Sequence, residues 1–352
     1  MPEDIHRDSP PPPAAAAATL TDPGAAAAPA GKATEASTRA VEIPPSLYAR
    51  FERFELVGRG GMGAVYRARD VRIGRTVAVK LLFGQDPKGG VLQEARSQAR
   101  LRHPHVCEVY EAGLADRVPF IVMRYIEGAP LHDMRSEMSR EEAVAAVRDV
   151  ALALHEAHRL GIIHRDVKPG NILVERAEDG TCRPFIADFG IARDQTLGAP
   201  TLSDVVRGTP AFMAPEQAAG RSRAIDRRSD VYSLGATLYD TLAGKPPFAA
   251  DSVIALLNSV VEAEPPRLRA VAPEVPADLE AIVMKCLEKD PAARYDSAKA
   301  LAEDLQRFLD GDPVIASRPS WGARLWKRAR KHKGRVAAVA AASLAGLAVA
   351  GL

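Results

Sequence analysis

The sequence predicts an α+β fold in which strands come first and helices follow. Three observations predict it. Between residues 51 and 82, short β-branched runs are broken by glycine turns. Residues 139–161, "SREEAVAAVRDVALALHEAHRLG", carry an apolar stripe behind a helix-start signature. Residues 229–244, "SDVYSLGATLYDTLAG", are apolar on nearly every side, as in a helix enclosed by others.

The chain has 352 residues, 47% of them hydrophobic, enough for a sizeable core. Residues 1–45 stand apart: the runs "SPPPPAAAAA" and "GAAAAPAGK" hold almost no large apolar side chains. Such a segment cannot repay the entropy of ordering, so a disordered tail is expected there. It lacks the apolar core of a targeting peptide. The three cysteines, Cys107, Cys182 and Cys286, are far apart and odd in number, which suits reduced thiols in a cytosolic domain.

Net charge is +2, but residues 324–335, "RLWKRARKHKGR", hold seven Lys/Arg and no acid. The sequence pI of 8.4 therefore reports one short run, and no nucleic-acid partner follows from it. Residues 336–352, "VAAVAAASLAGLAVAGL", are uncharged. They read as the start of a membrane-spanning helix continuing past residue 352, with the basic run on its cytoplasmic side. The other reading is an Ala-rich soluble helix.

Taken in order, "FERFELV" is a strand, "AVYRARD" and "TVAVKLL" are two more, and "RIGR" turns between them, giving an antiparallel sheet. Between the first two lies "GRGGMGAV", where Gly58, Gly60 and Gly63 form G-x-G-x-x-G. A dinucleotide-binding loop would open a helix and find an acid about 20 residues on. Here a strand follows, and the residue at that distance is Lys80. A glycine loop between strands can instead fold over a triphosphate, with Lys80 reaching the phosphates beneath. "GRGGMGAV" followed by "VAVK" resembles the small lobe of a eukaryotic-like protein kinase.

The rest of the chain extends the resemblance. Residues 164–171, "HRDVKPGN", are similar to the catalytic loop of that family. Asp166 is then the carboxylate that orients the attacking hydroxyl and accepts its proton, and Asn171 a metal ligand. Lys168 sits where the γ-phosphoryl transfers and resembles the Ser/Thr class. "FIADFG" gives Asp188 as the second metal ligand, for Mg²⁺ with Mn²⁺ as a substitute, and "GTPAFMAPEQ" closes an activation segment running from 188 to 216.

The resemblance implies a bilobal protein-kinase fold: a small lobe of antiparallel sheet plus one helix, about 54–126, and a mostly helical large lobe, about 127–309. The domain spans 46–310, a basic juxtamembrane linker 311–335, and the span starts at 336. The single helix of the small lobe is placed at 91–102, with Glu94 pairing with Lys80. The ATP site is formed by Val57 and the loop glycines, by Ala78, Leu173 and Val65 as walls around adenine, and by Met123 as gatekeeper. Arg124, Tyr125 and Ile126 follow as a hinge that offers main-chain groups. Arg124 departs from the family's frequent Glu, and Phe212 from its frequent Tyr. Glu127 is a candidate ribose contact. A Gly63→Val change is expected to raise KM for ATP more than it harms folding.

The helix at 139–161 starts with a Ser139/Glu142 capping box and stops at Gly161. Val144, Val147, Ala151, Leu154 and His158 form its stripe, and His155 and His158 read as core or boundary residues, not ligands. By resemblance Asp230 holds the catalytic loop, Arg294 pairs with Glu216, and Arg165 supports a phosphorylated activation loop. Thr196, Thr201, Ser203 and Thr209 are the hydroxyls of that loop, and Thr201 and Ser203 are the expected autophosphorylation sites.

The chain therefore resembles a bacterial Ser/Thr protein kinase of the transmembrane receptor-like type, acting on protein substrates, with a homodimer for trans-autophosphorylation. Two other classes stand beside it. A nucleotide-binding pseudokinase scaffold typically lacks Lys80, Asp166 or Asp188. A small-molecule kinase lacks the glycine loop, the Ala-Pro-Glu closure and Arg294.

Overall fold

The computed structural model describes residues 42–60, 63–83, 95, 98–189 and 210–316. Residues 1–41 of the expected tail, the activation-loop hydroxyls, Glu94 and the basic and apolar runs after 316 lie outside the described residues; the tail ends sooner than residue 45, since Ile43 packs on the sheet and Pro45 begins a 3₁₀ turn.

Five strands form an antiparallel sheet: β1 (Phe51–Arg59), β2 (Gly63–Asp70), β3 (Arg75–Leu82), β4 (Val109–Ala115) and β5 (Val118–Arg124), in the order β1-β2-β3-β5-β4. Strand β3 is central and alternates. Val77, Val79 and Leu81 enter one apolar cluster with Phe120 and Val122, while Ala78 and Leu82 enter a second with Ile121 and Met123. Lys80 shares the parity of the second set, because successive side chains point to opposite faces. Register fixes its neighbours: Lys80 lies opposite Val65 on β2 and Ile121 on β5.

The small lobe reaches further back than residue 54. A 3₁₀ turn at Pro45–Ala49 precedes β1, and its Leu47 is buried with Phe51, Val77 and Val79. Without it the outer sheet face would be open to water. The helix expected at 91–102 ends early. Ala95 and Gln98 are helical and buried, but residues 101 and 102 are not helical. Pro104 biases the residue before it toward extended backbone, so the chain has left the helix by then.

The large lobe opens with β6 (Gly128–Pro130), a short α1 (Leu131–Met134) and α2 (Arg140–Arg159), then β7 (Ile172–Arg176) and β8 (Cys182–Ile186), which complete a three-stranded sheet β6-β7-β8. Helix α2 begins at the Ser139/Glu142 box: the Ser139 side chain accepts from the Glu142 amide at 3.1 Å and the Glu142 carboxylate accepts from the Ser139 amide at 2.7 Å. After these come α3 (Pro215–Ala218), α4 (Arg227–Ala243), α5 (Val253–Glu262), α6 (Leu268–Val271), α7 (Ala277–Cys286) and α8 (Ala298–Asp310). Helix α4 is buried without a break from Ser229 to Thr241 and packs on α2 and α7. Only its ends meet solvent, capped by Asp226 and by Gly244 at φ 75°.

The domain continues beyond residue 310. The amides of Ile315 and Ala316 donate to the Asp304 carboxylate at 2.6 and 2.9 Å, and Tyr295 donates to it at 2.5 Å. Residues 311–316 therefore belong to the folded lobe, and not to a linker. Among the described residues, no helix is long and apolar enough to cross a membrane.

Candidate active site

The site is built where β3, the loop after α2, and the two ends of the β7–β8 hairpin meet. Pairing of Ile172 with Ile186 aligns that hairpin, and the Ala187 amide donates to the Asn171 carbonyl at 2.9 Å. Asn171 and Asp188 thus flank the same hairpin end. A bridge between Val106 and Ile186 ties the hairpin to the segment that enters β4.

Lys80 reaches across, its Nζ 2.6 Å from Asp188 Oδ1, with the Lys80 side chain 9% exposed. Asp188 sits at φ 57° and Arg165 at φ 64°, left-handed backbone that side chains seldom adopt. Burial pushes the Asp188 carboxyl up, but the charge and hydrogen bond of Lys80 outweigh it, with Lys168 adding to them, and hold it below the usual carboxylate range. It is ionised at neutral pH.

Asp166 lies in the loop 164–171. Its Oδ2 accepts from Lys168 Nζ at 2.9 Å and from Asn171 Nδ2 at 3.0 Å, and the same Asn171 amide donates to the Asp166 carbonyl at 2.8 Å. With its NH₂ committed to Asp166, Asn171 has its carbonyl oxygen left to offer. The donor set for a metal is then one carboxylate and one amide oxygen. Hard oxygens in that small number suit Mg²⁺, which keeps waters and phosphate oxygens for the rest of its shell. A carboxylate beside a lysine ammonium can orient a hydroxyl and take its proton.

The loop hangs from buried groups. His164 is fully buried, and its Nδ1 accepts from the Asp166 amide at 3.2 Å. The proton is therefore on Nε2, which donates to the Ala187 carbonyl at 3.0 Å. Burial lowers the His164 pKa more than nearby carboxylates raise it, so the ring stays neutral. It also packs against Phe189, ring centres 4.5 Å apart. Asp230, at the start of α4, accepts from the amides of His164 and Arg165, each at 2.8 Å, and from His158 Nε2 at 2.7 Å. Burial would raise its pKa, but the hydrogen bond and charge of His158, with His164, hold it low. The sequence assigned His158 to the stripe of α2; its bond to Asp230 crosses 72 positions and had no local signal.

On the sheet side, Ala78, Met123 and Ile126 form one buried cluster, with Val65, Tyr125 and Leu173 packed against it. These are the expected adenine walls and hinge residues, gathered on the Lys80 face. Val57 is 46% exposed. The Arg124 amide donates to the Glu108 carbonyl at 2.9 Å, its carbonyl accepts from Cys107 Sγ at 3.3 Å, and its guanidinium lies 4.6 Å from the Phe185 ring centre. Burial, helped by the charge of Asp188, pushes the Cys107 thiol up to about 12, so it packs and does not react.

The three loop glycines divide. Nothing lies within 4 Å of a side chain added at Gly58 or Gly60, whereas at Gly63 a Cβ would meet the Leu81 carbonyl oxygen at 2.1 Å. Gly63 is a strand residue paired with Leu82, and close approach of β2 to β3 requires it. The expectation that Gly63→Val acts mainly through ATP is corrected: the substitution strikes backbone.

Below the loop, Arg294 holds Glu216 through two bonds of 2.8 and 2.9 Å, and Ser229 Oγ donates to Glu216 at 2.7 Å. Gln217 donates from Nε2 to the Arg165 carbonyl at 2.9 Å. Neither Ser229 nor Gln217 drew attention in the sequence, since no spacing announces a bond across 52 positions.

The profile of the family described as protein kinase domain matches residues 51–305. The chain is 39% identical over 287 residues to the serine/threonine-protein kinase PknB of Mycobacterium tuberculosis, covering 78% of this chain and 45% of that protein. A probable serine/threonine-protein kinase of Streptomyces coelicolor is 39% identical over 291 residues, covering 79% of this chain and 42% of that one. The chain thus spans less than half the length of these relatives. Among solved structures, the kinase domain of Mycobacterium tuberculosis PknI is similar with a TM-score of 0.57 at 28% identity, over 73% of this chain and 96% of that one. Rad53 in complex with AMP-PNP gives 0.61 at 25%, over 72% and 65%. A sheet that presents one lysine to an aspartate at the end of the β7–β8 hairpin, matched in sequence from β1 into α8, places the chain in the protein kinase family.

Proposed function

We propose that this chain transfers the γ-phosphoryl group of ATP to serine and threonine hydroxyls of proteins. The observation that carries the reading is the single hydrogen-bonded cluster of Asp166, Lys168 and Asn171, with the Lys80–Asp188 pair beside it. Protein kinases use ATP and Mg²⁺. When bound, the metal neutralises charge on the phosphates, and Asp188 and the Asn171 carbonyl are the residues to hold it.

The chain's own groups do the rest. Asp166 accepts the proton of the attacking hydroxyl as the new O–P bond forms and the bond from the γ-phosphorus to the β-phosphate oxygen breaks, releasing ADP. Lys168 keeps positive charge at that carboxylate and at the transferring group. Lys80 turns its ammonium from Asp188 toward the phosphates, with Glu94 as its partner in the active state. Val65, Ala78 and Leu173 enclose adenine, Met123 limits its depth, and Tyr125 and Ile126 offer main-chain groups. Gly58 and Gly60 give the loop room to close over the phosphates.

Autophosphorylation at Thr201 or Ser203, in trans within a homodimer, is part of the same reading. So is anchoring through 336–352 with the kinase domain on the cytoplasmic side; the seven cations of 324–335 support it. The test is transfer of ³²P from ATP to a generic protein substrate, lost in Asp166→Asn. No transfer by the wild-type chain with Mg-ATP refutes the reading. Mass spectrometry of the same sample finds phosphate at Thr201 or Ser203, absent from the Asp166→Asn control. Membrane fractionation with and without residues 336–352 tests the anchor.

A further inference from the structure

The Arg165–Asp166 peptide is clamped from both of its polar ends. Its N–H, belonging to Asp166, donates to His164 Nδ1 at 3.2 Å, and its C=O, belonging to Arg165, accepts from Gln217 Nε2 at 2.9 Å. Both groups lie in one rigid plane, so two bonds on opposite sides stop the plane from rocking. The preceding amide, on Arg165, is held by Asp230. Of these clamps, two come from the catalytic loop and α4. The third comes from α3, which directly follows the segment at 210–214.

Gln217 has no freedom of its own. It is 7% exposed, and its Oε1 accepts from the Ala214 amide at 3.1 Å. One end of the side chain therefore caps α3 and the other end holds the loop. Arg165 needs that hold, because its φ of 64° is outside the ordinary range for a side-chain-bearing residue. A peptide free to flip there would swing the Asp166 Cα and its carboxylate.

We propose that Gln217 is a positioning residue for Asp166, coupling the seating of the 210–218 segment to the geometry of the base. The inference rests on the reading of Asp166 as base. It makes the catalytic loop responsive to the segment that precedes it: when α3 is seated, the base is aimed, and when α3 shifts, the aim is lost while nucleotide binding on the sheet side stays.

The test compares the full chain with Gln217→Glu. The variant keeps an oxygen for the Ala214 amide but sets an oxygen against the Arg165 carbonyl. The expected result is a fall in kcat of about tenfold, the kinetic equivalent of one lost buried hydrogen bond, with KM for ATP unchanged; the buried carboxylate also lowers the melting temperature, so kcat is read well below it. The ratio of variant to wild-type kcat then rises between about pH 8 and about pH 6, as the new carboxyl takes a proton and regains a donor. A merely structural role moves none of these separately. If Gln217→Glu folds poorly, Gln217→Met, of similar length and without a donor, is held to the same kcat criterion. A kcat within twofold of wild type, or a loss matched by weaker nucleotide binding, overturns the proposal. Asp166→Asn run alongside separates the two ideas: full activity there overturns the base assignment, whereas a dead Asp166→Asn with an intact Gln217→Glu overturns only the positioning role.

Discussion

Removing the Glu216 carboxylate is the most demanding test of how the large lobe is held. Arg294 is fully enclosed, and its five N–H groups all have acceptors. Nη1 and Nη2 reach the two Glu216 oxygens, Nε reaches the Glu288 carbonyl, and the carbonyls of Arg228 and Lys289 take the remaining two. Glu216→Ala strands a buried guanidinium, and breaking such a pair from one side costs about 3–5 kcal/mol. At roughly 2–4 °C per kcal/mol for a domain of this size, the melting temperature falls by about 10 °C. Glu216→Gln keeps one acceptor and loses the charge, so its loss is smaller, about 1–3 kcal/mol. The pH dependence has a definite sign. Burial pushes the Glu216 carboxyl up, but Arg294 and Ser229 hold it below its ordinary value. Its contribution is thus present above the unfolded pKa of about 4.3 and is lost as pH falls through the lower folded value. Thermal melts by circular dichroism at pH 7 and below pH 4 check both claims: the gap between wild type and Glu216→Gln narrows on acidification. A Glu216→Ala melting temperature within about 2 °C of wild type at pH 7 refutes the reasoning.

The loop glycines separate by assay: Gly60→Ala leaves the melting temperature unchanged and raises KM for ATP, while Gly63→Val, forced onto the Leu81 carbonyl, destabilises the protein by about 2 kcal/mol or more in urea melts. Asp230→Asn replaces an acceptor for two amides by a group that donates on one side, so kcat drops about a hundredfold or more in a steady-state phosphotransfer assay while nucleotide affinity by calorimetry holds. Lys80→Met leaves Asp188 without its cation; activity falls about 10²–10³-fold, and the Asp188 carboxyl titrates at higher pH by NMR than in wild type.

Much of this was legible in the sequence because local chemistry repeats. Strands β1 to β3 announce themselves by alternation and turns, α2 by its capping box, and α4 by being apolar all round. Asp166, Asn171 and Asp188 lie on short motifs whose spacing the hairpin geometry demands. What escaped depends on contacts between distant positions. His158, Ser229 and Gln217 look ordinary in their own helices, and each acquires meaning from a partner far along the chain. Gly63 escaped for the opposite reason: its motif suggested phosphate, and only the distance to Leu81 assigns it to the sheet. The C-terminal limit at Ala316 was unreadable because two backbone amides bonded to Asp304, not a periodic pattern, mark it.

Helix α4 has a consequence for how activity is lost. The 164–171 loop is irregular, yet two of its amides are tied to a carboxylate in α4, the most enclosed helix among the described residues. Local opening there requires opening of the large lobe, so the loop belongs to the same cooperative unit as the core. The sheet that faces it has an apolar cluster of its own on its outer face, around Val77, Val79 and Phe120, while its inner face shares a second cluster with Phe185 and Ala187 of the large lobe. In a denaturant series the outer part of the sheet can therefore loosen first, while the 164–171 loop keeps its place until the large lobe itself unfolds.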